Sequence, residues 1–295
     1  MNNDSLQSSY AACRRLVRRS HSNFTRSFLL LRPEKRRAMD ALYAFMRHTD
    51  DLGDSALSSP ERRKSLAVWR AALTAALHEQ PLDDATDTTA SRLLPAVCNT
   101  VRRFGIPIEC LHDAIDGQEM DLDVRQYETF DELAVYCQKV ASAVGVACLH
   151  IWGFRTHAAL VAARQCGIAM QLTNILRDLR ADAALGRCYL PQADMRACGY
   201  SCQELREGQV KPAFRRLVEL ESDRAESLYH ASLVLLDELA PDGLRPFRLM
   251  IATYHALLEE IRCRAGELLH RPVHLSGWRK ARITLRCLLR PGVPW

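Results

Sequence analysis

The chain has 295 residues, 48% of them hydrophobic, with 40 Lys and Arg against 35 Asp and Glu. That length and apolarity bury a large core as one big domain or two small ones, which excludes a disordered tail protein. A formal net charge of +5, carried far more by arginine than by lysine, suits anionic ligands or an anionic surface and gives no case for a nucleic-acid partner.

Helical periodicity dominates, and no Asn-Gly or Asp-Gly hairpin separates alternating apolar runs, so the chain reads as all-α. Pro33 opens a helix that runs through Met46 towards Asp54, with proline suited to the first turn. A second begins at Ser59-Pro60-Glu61, and Gln80 to Thr88 is a polar loop. Helical spacing resumes from Leu93 to Phe104, and Pro107 opens the next helix. Phe130 leads into a long helix reaching Trp152-Gly153, Thr156 to Ala181 forms another, and Gly186 and Pro191 end that pattern. Two more helices span Pro212 to Leu239 and Pro246 to Leu269, parted by Ala240-Pro-Asp-Gly243. The ending, Trp278 to Arg290, alternates basic and apolar residues as a final surface helix and closes in Val293-Pro-Trp295.

Within the apolar helix after Thr156, Gln171, Asn174, Asp178 and Asp182 recur at steps of three, four and four. Leu172, Ile175, Leu176 and Leu179 cover much of the remaining circumference, so this polar stripe belongs to a buried helix. A second stripe, Arg47, Asp50, Asp51 and Asp54, shares one helix face near the start of the chain. Like charges at such spacings cost a helix about 0.2–0.5 kcal/mol per pair, and burying them unpaired costs more. One acidic cluster alone reads as a solvated helix end. Two stripes of hard oxygen donors suit Mg²⁺ and, through it, a diphosphate. Arg47, Arg177, Arg180 and Arg187 lie beside the stripes, and guanidinium forks bind phosphate oxygens; Arg47 and Arg187 are the first choices, with Arg177 next. The small residues Ala141 to Ala147 make a narrow helix surface that suits either close helix packing or room for a long apolar ligand.

The eleven cysteines are odd in number and contain no CxxC pair, which points to reduced cytosolic thiols rather than a disulfide framework or zinc site. Met1 to Ser5 lacks the order of a signal peptide, and no run approaches a membrane span, so a soluble or peripheral cytoplasmic protein is expected. His112-Asp113 invites a metal phosphohydrolase reading, but His78 and His150 supply no supporting pattern. A non-catalytic helical interaction protein leaves both carboxylate stripes unexplained.

Four stretches, in this order and spacing, resemble the squalene/phytoene synthases: Tyr43 to Asp54, Gly117 to Leu122, Tyr136 to Gly145, and Gln171 to Asp182 continuing to Pro191. The resemblance spans roughly residues 10 to 265 and implies an all-α isoprenoid-synthase bundle around a deep apolar cavity, with two facing Asp-rich helices. It implies a domain over 1–275 and a basic amphipathic tail over 276–295. It implies metal ligation by Asp50, Asp54, Asn174, Asp178 and Asp182, and substrate contacts from Tyr43, Arg47, Asp51, Gln171, Arg177, Arg187 and Tyr189. Tyr136 matches the reactive tyrosine of the family, and Asp50, Asp54, Asp178 and Asp182 stand with it as catalytic. The implied activity is head-to-head joining of two prenyl diphosphates with Mg²⁺, Mn²⁺ being the substitute. The wording from Val140 to Gly153 is closest to bacterial squalene-type members, including those that stop at presqualene diphosphate for hopanoid synthesis. Farnesyl diphosphate as donor is therefore expected, with geranylgeranyl diphosphate and a phytoene product as the alternative; NADPH use and oligomeric state stay open. Two positions depart from the pattern. Ala181 stands where the family usually has Glu, and Ser22-Asn-Phe24 matches only loosely the Ser-rich stretch that contacts diphosphate. The tail from Trp278 to Arg290 suits either a capping helix or contact with an anionic membrane.

Overall fold

The computed structural model describes residues 3–20, 24–80, 88–124 and 126–289. The centre of the expected polar loop at 81–87, Ser22 and Asn23, and the closing Val293 to Trp295 lie outside the described residues. The helices are α1 (Asn3–Arg19), α2 (Pro33–Gly53), α3 (Ser59–Leu77), α4 (Thr88–Phe104), α5 (Glu109–Asp123), α6 (Phe130–Cys137) and α7 (Ala143–Trp152). They continue as α8 (Ala158–Ala184), α9 (Gln192–Cys198), α10 (Cys202–Arg206), α11 (Pro212–Ser232), α12 (Leu235–Glu238), α13 (Pro241–Cys263) and α14 (Gly277–Leu289). A 3₁₀ turn occupies Phe24–Leu30 and a π turn Gln138–Ser142. Among the described residues the only strand-like pairings are two isolated bridges, Gln126 with Cys188 and Phe154 with Leu239.

Two compact units result. The first comprises Met1–Asp123, Ala143–Arg155 and Leu239–Pro246. Its central helix is α2, whose Ala41 and Ala44 are fully buried against Cys13 of α1 and Leu93 and Ala96 of α4. Alanine at these positions lets three backbones approach closely at little cost in side-chain entropy. Pro95 lies inside α4, where the proline ring disturbs the hydrogen-bond ladder. Ser9 of α1 repairs the opening: its hydroxyl donates to the Arg92 carbonyl at 2.8 Å and accepts from the Ala96 N–H at 3.0 Å.

The C-terminal half of α2 is locked to α3. The Trp69 indole donates to the Thr49 hydroxyl at 2.9 Å and stacks on Phe45 at 5.3 Å between centroids. Arg62 of α3 donates to the Gly53 carbonyl at 2.9 Å and so satisfies one of the orphan acceptors at the end of α2.

The second unit comprises Val124–Ser142, Thr156–Glu238 and Phe247–Trp295. Here α8 packs against α11, where Thr173 and Tyr229, both fully buried, share a 2.8 Å hydrogen bond. Gly167 of α8 meets the π turn so closely that a Cβ there would lie 2.7 Å from the Ser142 nitrogen. Glycine is the residue that permits this approach. Arg224 of α11 ties three elements together: it pairs with Asp194 of α9 at 2.8 Å and with the fully buried Glu221 at 2.7 Å, and lies 4.2 Å over the Phe130 ring of α6.

Several boundaries differ from expectation. The helix expected from Pro212 to Leu239 breaks after Ser232, whose hydroxyl donates to the Tyr229 carbonyl at 2.7 Å, and resumes as α12. Pro246 lies inside α13 rather than at its start, because the helix already begins at Pro241. The short α9 and α10 fill the stretch after Pro191.

Two expectations need correction. The helical run Phe130–Trp152 is, by length and composition, long and apolar enough to cross a membrane, although half of its most apolar window is buried inside the protein. The thiols are not all reduced: Cys188 and Cys202 form a disulfide, their Cα atoms 6.4 Å apart, within the span such a bridge requires. The physical reason is local, since α9 turns the chain back and brings together cysteines 14 positions apart.

Candidate active site

In the first unit, the acidic stripe occupies the last turns of α2. Asp50 is open to solvent yet ringed by protein mass and by other carboxylates. Desolvation first, then Asp54, Asp51 and Asp121, push its carboxyl up to about 7, while Arg47 opposes the shift. Arg47 is itself engaged, donating to Asp51 at 2.6 Å one helical turn away. Tyr43, one turn further back, is half-buried with its ring edge-on to Phe28 at 6.3 Å.

Two residues of α5 complete this group. Gln118 donates from Nε2 to Asp50 Oδ1 at 2.8 Å, and the buried Asp121 adds a fourth carboxylate to the field. The Gln118 side chain reaches Asp50 by crossing over Gly53, where any Cβ would collide with its amide. The sequence stretch Gly117 to Leu122 carries the resemblance, but nothing in its spacing links Gln118 or Asp121 to Asp50.

In the second unit, α8 carries Gln171, Asn174, Arg177, Asp178 and Asp182. Arg177 grips Asp178 through two hydrogen bonds, Nε to Oδ1 at 2.8 Å and Nη2 to Oδ2 at 2.5 Å. This bidentate fork neutralises a carboxylate that has no other described cation beside it. Asn174 donates weakly to Gln171 at 3.4 Å, and its own Oδ1 is buried without any hydrogen-bond partner. An unmet buried acceptor costs about 1–3 kcal/mol, and a hard cation removes that cost. The donor set of Asn174, Asp178 and Asp182 thus fits a divalent ion of the Mg²⁺ type. Arg180 takes no part in this set; it donates to the His270 carbonyl and braces the turn there.

The helix ends at Gly186, whose positive φ of +74° makes the left-handed stop, and the Arg187 N–H returns to the Asp182 carbonyl at 2.9 Å. Arg187 is thereby held beside the end of the stripe. Tyr189 follows, buried and stacked on Tyr136 with centroids 5.3 Å apart and planes 18° apart. Tyr127 joins the two, at 5.7 Å from Tyr136 and 6.3 Å from Tyr189. Sequence reasoning named Tyr136 and Tyr189 but missed Tyr127, which lies in an irregular stretch with no periodicity to mark it. The three rings present electron-rich faces of the kind that stabilise a cation.

The sequence pattern of the squalene/phytoene synthase family matches residues 17–279. The phytoene synthase of Mycobacterium tuberculosis is 32% identical, over 96% of this chain and 91% of its own. The 15-cis-phytoene synthase of Synechococcus elongatus is 30% identical, over 94% and 91%. Among solved structures, a ligand-bound dehydrosqualene synthase is 28% identical with a TM-score of 0.83, covering 97% of both chains. A squalene synthase from Alicyclobacillus acidocaldarius is 28% identical with a TM-score of 0.80, covering 90% of this chain and 97% of that one. The all-α architecture is that of the isoprenoid synthases, and the family generally uses divalent metal ions to bind prenyl diphosphates.

One consequence of the crowding around Asp50 is measurable. Its carboxyl stands above the ordinary 3.8, so its contribution to stability is fully present below that value and is lost as pH rises through about 7. The metal-free protein is expected to melt at lower temperature as pH rises from about 4 to about 8, with Mg²⁺ restoring the loss and Asp50→Asn flattening the slope. Melting curves across that range check this; equal slopes in wild type and variant contradict it. With the fold, the acidic stripes and the sequence comparisons in agreement, the chain belongs to the squalene/phytoene synthase family and is a prenyltransferase.

Proposed function

We propose that this chain catalyses the Mg²⁺-dependent head-to-head condensation of two farnesyl diphosphates to presqualene diphosphate, and that any onward conversion to squalene draws on NADPH. Residues 1–275 form the catalytic body in this reading and 276–295 a tail. The observation that carries it is the buried, unmet Asn174 Oδ1 beside Asp178, on the same helix stripe as Asp182. An apolar helix that keeps such a group at a cost is built for a cation.

Asp50 and Asp54 form one set of metal ligands, and Asn174, Asp178 and Asp182 the other. When bound, Mg²⁺ supplies Lewis-acid neutralisation of the charge that develops on a leaving diphosphate. Arg177, once its fork is released from Asp178, donates to diphosphate oxygens, as do Arg47 on leaving Asp51 and Arg187. Tyr43, Asp51, Gln171 and Tyr189 contact the substrates, Asp51 by setting where Arg47 points. Tyr136 accepts the proton or faces the carbocation, with Tyr189 and Tyr127 stacked alongside to keep its ring oriented. Gln118 holds the Asp50 carboxylate in place. The missing carboxylate at Ala181 weakens one ion position without removing Asp178 or Asp182.

A second reading, condensation of two geranylgeranyl diphosphates to phytoene, is favoured by the phytoene synthases that match at 30–32% identity over nearly the whole chain. The C15 reading draws on the squalene-type wording from Val140 to Gly153 and the likeness to dehydrosqualene synthase.

We also propose that α14 rests on an anionic membrane. Arg279 pairs with Glu260, and the Cys287 thiol meets the Arg248 carbonyl at 3.7 Å, which ties one side of the helix to α13. Trp278, Leu285 and Leu289 share a different stripe and are exposed by 81%, 58% and 69%. An exposed apolar stripe flanked by arginines suits a headgroup region.

Given farnesyl diphosphate and Mg²⁺ without NADPH, the purified enzyme is expected to accumulate presqualene diphosphate, detected by mass spectrometry of extracted products. Asp178→Asn is expected to lower turnover by roughly 10² or more, the scale of losing a group that stabilises transition-state charge. Exclusive use of the C20 donor contradicts the C15 reading and makes phytoene the product. Sedimentation with phosphatidylserine-containing liposomes is expected to retain the full chain but not a version ending at Leu275; equal binding of both removes the tail from the account.

A further inference from the structure

A second cluster of metal-ligating side chains lies on the helix pair α11 and α13, outside both acidic stripes. Glu226 and His230 sit one turn apart on α11, and His255 and Glu259 one turn apart on α13. The helices run antiparallel, since Glu226 pairs with His255 while Glu219 and Asp223, earlier on α11, pair with Arg262, later on α13. Spacing of four residues puts each His and Glu on one face. The two faces therefore meet, with one imidazole and two carboxylates brought together.

The geometry is close. His255 Nε2 lies 2.9 Å and His230 Nε2 3.1 Å from the same Glu226 oxygen, Oε1. Glu226, His255 and Glu259 each offer a ligand atom within 4.8 Å of the others. Donors around a tetrahedral zinc ion stand roughly 3.3–3.5 Å apart, given metal–ligand distances near 2.0–2.2 Å. His230 falls outside this group, so three protein donors face one another and water completes a four-coordinate shell. The other Glu226 oxygen, Oε2, is buried with no hydrogen-bond partner, so this carboxylate carries an acceptor that its histidines leave unmet. His255 is 7% exposed and backed by the Tyr229 ring at 6.2 Å, which fixes the imidazole from behind. The Glu259 and His230 side chains are 42% and 57% exposed, leaving a path for an ion to enter from solvent.

We propose that Glu226, His255 and Glu259 bind one borderline divalent transition ion of the zinc class, with His230 hydrogen-bonded to Glu226 beside it. Imidazole nitrogen with carboxylate oxygen selects such ions over Mg²⁺, which prefers oxygen alone. The ion acts structurally. It joins α11 to α13 directly behind Tyr229, whose hydroxyl bonds Thr173, the neighbour of Asn174 on α8. Occupancy of this site stiffens the helix pair on which that part of α8 rests, apart from any chemistry on prenyl diphosphates.

The test uses the full chain, stripped of metal and held in excess Mg²⁺ so that the oxygen-rich stripes are filled. Titration with Co²⁺ is expected to bring up the strong visible absorption of four-coordinate nitrogen and oxygen ligation, saturating at a single ion per chain and bleached by Zn²⁺. Glu226→Gln and Glu259→Gln keep size and hydrogen bonding, so they test ligation rather than folding. Each is expected to weaken Co²⁺ by at least roughly the 10–100-fold that losing even an outer partner of a metal ligand costs. Absence of the visible band in the wild-type chain overturns the proposal. So does a band that survives at unchanged affinity in both variants, since the ion is then held elsewhere. Neither readout depends on prenyl transfer, so failure here leaves the proposed activity standing.

Discussion

Mutual repulsion among carboxylates is the constraint around which the functional parts of this chain are arranged. On α2, Asp50, Asp51 and Asp54 sit within two turns, and α5 adds Asp121. A helix end so charged would splay or turn its acids to bulk water unless something held it. The Trp69–Thr49 hydrogen bond, the stacking on Phe45 and the Arg62 cap provide that hold within five residues of Asp50. Gln118 then anchors the carboxylate itself, and the absence of a side chain at Gly53 makes its path possible. On α8 the same constraint is met differently, by the Arg177 fork on Asp178, while Asn174 is left with an unmet oxygen. Both stripes are partly neutralised by arginines that a diphosphate would compete for, which links resting stability to ligand chemistry.

The part of this legible in the sequence was the part with a helical period. The stripes Arg47, Asp50, Asp51, Asp54 and Gln171, Asn174, Asp178, Asp182 follow from helical spacing, as do the extent of α2, the start of α3 and most of α8, whereas the choice of metal ligands among them is what the family resemblance implies. What escaped has no period to read. Gln118 and Asp121 join Asp50 from another helix, and Tyr127 sits in an irregular turn. The Cys188–Cys202 bridge was obscured by an odd cysteine count, and it depends on α9 folding the chain back. Pro246 is expected to open a helix but lies inside α13, while Pro95 sits within α4 because Ser9 on a distant segment repairs the ladder. The Phe130–Trp152 run passes for a membrane crossing because it is built from small apolar residues, and the π turn at Gln138–Ser142 lies within it. Tertiary contacts decided each of these, and local propensity carries no record of them.

The two proposals give the molecule two kinds of ion chemistry. In them, aspartates with one amide present hard oxygen donors to a cation that holds diphosphate, and a mixed imidazole and carboxylate set joins α11 and α13. Their separation by ligand type means that one ion need not displace the other. The helix pair with the mixed set supports α8 through Tyr229 and Thr173, so its rigidity bears on the stripe that carries Asn174.

The most direct test of the central claim, that the acidic stripes are cation sites held in wait, is a crystal of the full chain grown with Mn²⁺ and an unreactive prenyl thiodiphosphate, examined by anomalous scattering. The account predicts manganese peaks against the carboxylates of Asp50 and Asp54, and against Asn174 Oδ1 with Asp178 and Asp182, with Arg177 turned away from Asp178 onto the thiodiphosphate. A ligand-bound crystal in which Arg177 still grips Asp178 and no manganese lies at either stripe would contradict it.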